Sequence, residues 1–232
     1  MKLTLKQQTI FEITVVLGTM LLVKDILDRF NAIGAGSIAM WTGILLATFF
    51  MKKQGRNWRE LGLTLPKSRK ALLSSLGQAL LAIVIVIAFM GLVQPIISEL
   101  LGVSIPKSST DRFEFLLGKP LAFVTYLVVV IWIGAALGEE LLMRGFLLNK
   151  LISIMGDERK GIISAVVVHA VIFGILHISQ GIPGILSTGC VAILFAIVYL
   201  RNGRNLFPLI LAHGVINSIG LLGYYLTDGA MT

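Results

Sequence analysis

Charged side chains are scarce in this 232-residue chain: Asp, Glu, Lys and Arg together make up 14%, against about 25% in an ordinary globular domain. Cysteine is nearly absent. Cys190 is the only one and lies inside an apolar run, so a disulfide framework is excluded and the thiol reads as a small hydrophobe. Histidine occurs three times. Several signatures of hydrolytic chemistry are missing too. There is no His-Glu-x-x-His helix for zinc and no Gly-x-Ser-x-Gly elbow. Gly-x-Gly-Asp is absent, and Asp228 has no Asp partner within an apolar run, so an aspartyl dyad inside a membrane is excluded. Internal repeats and low-complexity tracts are lacking as well.

What is present is apolar sequence. Hydrophobic residues make up 56% and mean hydropathy is +0.90, which excludes an ordinary soluble domain. The net charge of +8 and pI of about 9.8 therefore report membrane topology before they suggest nucleic acid, and no nucleic-acid partner is expected. Seven apolar stretches are predicted as membrane helices: 10–23, 32–51, one within 71–98, a fourth that opens at Pro120 and runs into Glu139-Glu140 with its helical pattern continuing to about Met155, then 161–178, 182–200 and 206–226. Stretch 32–51 holds twenty residues without a charge, the length that crosses a ~30 Å hydrocarbon core. The first is the weakest, because Glu12 and Lys24 bracket eleven uncharged residues. It follows Lys2 and Lys6 like a signal peptide, yet Glu12 interrupts it and no small-residue cleavage site follows, so it reads as a retained span. The twenty-eight uncharged residues of 71–98 exceed the need and imply a tilt or break, with Gly91 and Pro95 as break points. Trp58–Leu65 reads as an interfacial piece with Trp58 as its anchor.

The expected fold is an all-α polytopic bundle of about seven spans. It divides into N-terminal spans and loops at 1–119 and a core at 120–226. Alternating the spans puts fifteen Lys and Arg on one side and five on the other. The positive-inside rule then places the N-terminus in the cytoplasm.

Against that background, charge inside a span needs a reason. Glu139, Glu140 and Arg144 directly follow nineteen uncharged residues, 120–138. An ionisable group at the bilayer centre costs about 2.5–3.5 kcal/mol on insertion scales. Glu140 and Arg144, four apart, share a helix face and can pair, whereas Glu139 points about 100° away. All three histidines, His169, His177 and His213, fall in expected spans, and Asn217 follows His213 by four. A lone His or Asn in a membrane helix is commonly a hydrogen-bonding group between helices, and His169 is assigned that role. Two carboxylates, two histidines and an amide together are an inventory for activating water and stabilising an oxyanion. Glu139, His177 and His213 also form a two-His, one-Glu set suited to Zn. The span boundaries raise one conflict: they put Glu139 at the cytoplasmic end of its span and His177 at the outer end of the next.

Glu139-Glu140-x-x-x-Arg144, Phe173-x-x-x-His177 and His213-x-x-x-Asn217, in this order and in successive apolar stretches, resemble the three motifs of the CPBP family. That family holds the CAAX prenyl endopeptidases and the bacterial bacteriocin-processing or immunity (Abi) proteins. Arg144-Gly-Phe-Leu resembles the continuation of the first motif. The resemblance covers about residues 120–222. It implies an intramembrane endopeptidase in which Glu139 activates water with help from His177. Glu140 would pair with Arg144, and His213 and Asn217 would stabilise the oxyanion; a competing view has His177, His213 and a Glu hold a metal. It further implies a peptide or protein substrate, membrane-associated or prenylated, and a multi-pass protein of a bacterial cell membrane. Other readings are an ion- or proton-coupled transporter and an immunity protein acting by binding.

Overall fold

The computed structural model describes residues 4–104, 106 and 108–229. Lys2 and Lys107, counted in the charge balance above, lie outside the described residues. Among the described residues there are seven long helices and no strand. They are α1 (Leu5–Arg29), α2 (Ala35–Lys53), α3 (Arg69–Leu101), α4 (Pro120–Met155), α5 (Arg159–Leu176), α6 (Gly181–Arg201) and α7 (Phe207–Leu226).

Six of these, α2 to α7, are long and apolar enough to cross a membrane, so the chain is a multi-pass integral membrane protein. The helix α1 forms as well, over twenty-five residues, but falls outside that set. Its Lys6, Glu12, Lys24, Asp25, Asp28 and Arg29 lower its apolar character. Glu12 nevertheless faces inward, 1% exposed. Its carboxylate accepts from Lys150 Nζ at 2.6 Å and from Gln54 Nε2 at 2.6 Å, and Lys150 also donates to Gln54 Oε1 at 3.2 Å. This buried cluster ties α1 and the end of α2 to α4.

The break expected in α3 is a widened turn over Phe89–Val93, just before Gln94 and Pro95. Residues 58–62 form turns, and the half-buried Trp58 indole donates from Nε1 to Thr48 Oγ1 at 2.9 Å.

The long helix α4 organises the core. It begins at Pro120, where the missing N–H is no loss, and runs thirty-six residues without a boundary at Gly138. Over Leu127–Leu148 its backbone takes the wide π-helical form. Asn149 marks the return to α geometry: its Nδ2 donates to Arg144 O at 3.0 Å and Gly145 O at 2.8 Å. Glycines let neighbours close on this helix. A Cβ at Gly134 would lie 2.1 Å from Ser37 Oγ, and one at Gly138 3.1 Å from Met40 Cγ.

This continuity removes the depth conflict. The uncharged run ends at Gly138 but the buried segment does not, since Glu140 and Arg144 are both 0% exposed. Paired charges continue the span where residue counting stops it. Counted from Gly156 in the turn joining α4 to α5, Glu139 stands 17 residues before it and His177 21 residues after it, so both lie far from that turn.

Candidate active site

The motif residues of α4 face the centre of the bundle. Glu140 Oε1 accepts from Arg144 Nη1 at 2.9 Å, and from His213 Nδ1 of α7 at 2.9 Å. A carboxylate can only accept here, so Nδ1 carries the proton. The opposite ring nitrogen, Nε2, points towards Glu139 Oε2 at 3.9 Å. The two acids therefore differ. Glu140 is sealed and doubly engaged, whereas the Glu139 side chain is 18% exposed and has no hydrogen bond to a described residue.

Arg144 is held by aromatic rings as well as by charge. Its guanidinium lies 4.8 Å from the Phe173 centroid and 5.1 Å from that of Phe195. A desolvated cation over ring faces gains about 2 kcal/mol, which offsets part of its burial. The same rings touch the histidines. Phe195 meets His213 edge-on at 6.0 Å, and Phe173 lies 4.7 Å from His177. Glu140, Arg144, Phe173 and His177 thus form one chain of contacts from α4 into α5.

His177 caps the C-terminus of α5, where its Nδ1 bonds the carbonyl of Phe173 at 2.9 Å. Because a carbonyl accepts, Nδ1 is the donor and Nε2 is left with its lone pair in the neutral ring. Asn217 lies one turn beyond His213 on α7 and is half-buried. No hydrogen bond or ion pair joins His177 or Asn217 to either glutamate among the described residues. His169 departs from its expected role. It is fully buried, but neither ring nitrogen has a hydrogen-bond partner among the described residues. It lies parallel to Phe173 at 6.5 Å instead, so it is held by packing rather than by a hydrogen bond across helices.

No three His, Cys, Asp or Glu side chains among the described residues stand close enough together to hold a metal ion.

Sequence reasoning missed three supports of this site. Phe195 carries no motif signal. Trp132 packs on Gly214, where a Cβ would meet its ring at 2.6 Å, bringing α7 close to α4 beside His213. Asn149 and Tyr199 form the third: Asn149 Nδ2 donates to Tyr199 Oη at 2.8 Å, and Tyr199 donates to Leu61 O at 2.8 Å. An amide five residues after Arg144 was the available signal.

Residues 121–219, which span α4 to α7, match the family of type II CAAX prenyl endopeptidase Rce1-like proteins. All three motifs fall within that match. No curated protein and no solved structure matches the chain.

Proposed function

Because the chain carries a domain of the Rce1-like family, consistent with the CPBP proteins, we propose that it is an intramembrane endopeptidase in which Glu139 activates the attacking water. A CAAX-type protease acting on a peptide in a membrane is what the family supports. The observation that carries the finer reading is the contrast between the two acids. Glu140 is committed to Arg144 and His213, while Glu139 is partly exposed and has no protein hydrogen bond. Oε2 of each acid lacks a protein hydrogen bond, but only the Glu139 side chain is partly exposed and so open to an incoming water, whereas Glu140 is sealed.

In the proposed reaction Glu139 removes a proton from water as the oxygen attacks the scissile carbonyl carbon. The carbonyl π pair moves onto oxygen. Collapse of the tetrahedral species breaks the C–N bond, and the proton passes from Glu139 to the leaving amine. His177, with Nδ1 fixed on Phe173 O, offers Nε2 to the same water. His213 Nε2 and the Asn217 amide stabilise the oxyanion. For His213 this requires the imidazolium, since Nδ1 already donates to Glu140. Water attacks directly, so no acyl-enzyme forms. The substrate is a membrane-associated or prenylated peptide, and the setting a bacterial cell membrane.

Glu139→Gln keeps the shape and removes the base, and loss of general-base catalysis lowers rate by about 10² to 10⁴. Membrane proteomics comparing the parent with this variant should show a peptide that stays unprocessed. Full processing by a correctly folded Glu139→Gln protein would sink the reading. Loss of activity with chelator and return with Zn²⁺ would replace it by metal-assisted hydrolysis with Glu139, His177 and His213 as ligands.

A further inference from the structure

A second polar site lies away from the motifs, on the side of the bundle that carries most of the basic residues. Three segments meet there around a cavity of about 390 Å³: the stretch after α2 with Arg56, the end of α4 with Asn149 and Ser153 running into Asp157, and the loop before α7 with Arg204. Arg56 has one ionic partner among the described residues, Glu60, at 3.4 Å. Arg204 has none; its Nη1 donates to the neutral Asn149 Oδ1 at 2.8 Å.

Arg204 is built into place. Its backbone is left-handed, at φ +60°, which a non-glycine residue adopts only where its surroundings impose it. Here its N–H donates to Tyr199 O at 2.8 Å, and the next turn is stitched down by Leu206 N donating to Gly62 O at 2.9 Å. Gly62, at φ +99°, is required there, since a Cβ would fall 1.8 Å from Arg204 O. Two guanidinium groups from distant parts of the chain thus line one cavity, with Asp157 on the same lining and Glu60 beside Arg56.

We propose that this cavity binds the phosphate of a phosphodiester headgroup, as carried by membrane phospholipids. Guanidinium forks match phosphate oxygens in geometry and charge, and a basic pocket beside the more basic membrane face meets anionic lipid. Asp157 on the lining sets the class. It opposes a phosphate dianion but accepts a hydroxyl or ammonium donor from the far side of a singly charged diester. The site is joined to the motif helix, because the amide that receives Arg204 also bonds the carbonyls of Arg144 and Gly145. Headgroup binding therefore braces the end of the helix that carries Glu139.

The test uses the full-length chain, purified and delipidated in detergent, and does not depend on peptidase activity. Phosphatidylglycerol in mixed micelles is one probe and inorganic phosphate the other. Retained lipid is read by native mass spectrometry and stabilisation by the unfolding midpoint. Phosphatidylglycerol should bind and raise the midpoint. Arg56→Gln and Arg204→Gln should each weaken binding by about 10-fold or more, the value of a charge-assisted hydrogen bond. Lys53→Gln, outside the cavity, should not. Both arginines are exposed, so each variant is expected to fold. Equal lipid binding by the parent and Arg56→Gln would overturn the site, as would equal losses with Lys53→Gln. Stabilisation by inorganic phosphate that matches the lipid would overturn the headgroup assignment and identify a free-anion site.

Discussion

Glu140 and His213 meet at 2.9 Å although they stand 73 positions apart, and the same carboxylate oxygen holds Arg144. One buried acid therefore sets both the cation of its own helix and the ring of another.

Removing that acid should harm folding first. Glu140→Ala leaves Arg144 buried and without its anion, and losing one member of a buried pair costs about 3 to 5 kcal/mol. A large drop in the unfolding midpoint in detergent is the expected result, together with loss of processing. A variant as stable as the parent would contradict the structural role.

His213 and Asn217 should behave differently from Glu140. Loss of one oxyanion donor typically lowers turnover by about 10² to 10³. Asn217→Ala, on a half-buried position, should show that kinetic loss with a nearly unchanged midpoint. A fall in stability without a change in turnover per folded molecule would assign Asn217 to packing.

The Glu12–Lys150 pair offers a control outside the three motifs. Lys150→Ala leaves Glu12 sealed and unpaired, with an expected loss of about 3 to 5 kcal/mol. Replacing both, as Glu12→Leu with Lys150→Met, should recover most of that loss, because apolar pairs of similar volume replace buried ion pairs at little cost. The four-way set of unfolding midpoints measures it. No recovery in the double variant would show that the cluster does more than satisfy its own charges.

Gly214→Ala probes the closeness of α7 to α4. The added methyl would sit 2.6 Å from the Trp132 ring, and overpacking costs about 1 to 3 kcal/mol. Because His213 is the neighbouring residue, processing should fall further than stability alone accounts for. A variant with parental stability and turnover would mean that Trp132 gives way freely.

The amino-acid sequence by itself determined the class of the molecule. Runs such as 32–51 and 120–138 are too long and too free of charge to be anything but membrane helices, because backbone amides in lipid must satisfy each other. Order and spacing were legible too. Glu139, Glu140 and Arg144, then Phe173 and His177, then His213 and Asn217 stand in helices whose period of 3.6 puts residues four apart on one face. Such spacing tells which residues share a face within a helix, not which helix faces which. Tertiary packing alone decided that His213 takes Glu140 rather than Glu139, that Phe173 and Phe195 enclose Arg144, and that Lys150 finds Glu12. The helical pattern as far as Met155 was legible in the chain, but packing decided that the charges of α4 lie inside the bundle. Counting charges stops the span at Gly138, since an unpaired charge in lipid is too costly. The folded bundle supplies the partners that remove most of that cost, so the helix continues to Met155 with its charges inside. Partners 73 or 138 positions away leave no local pattern in the chain, and only the closed bundle brings them together.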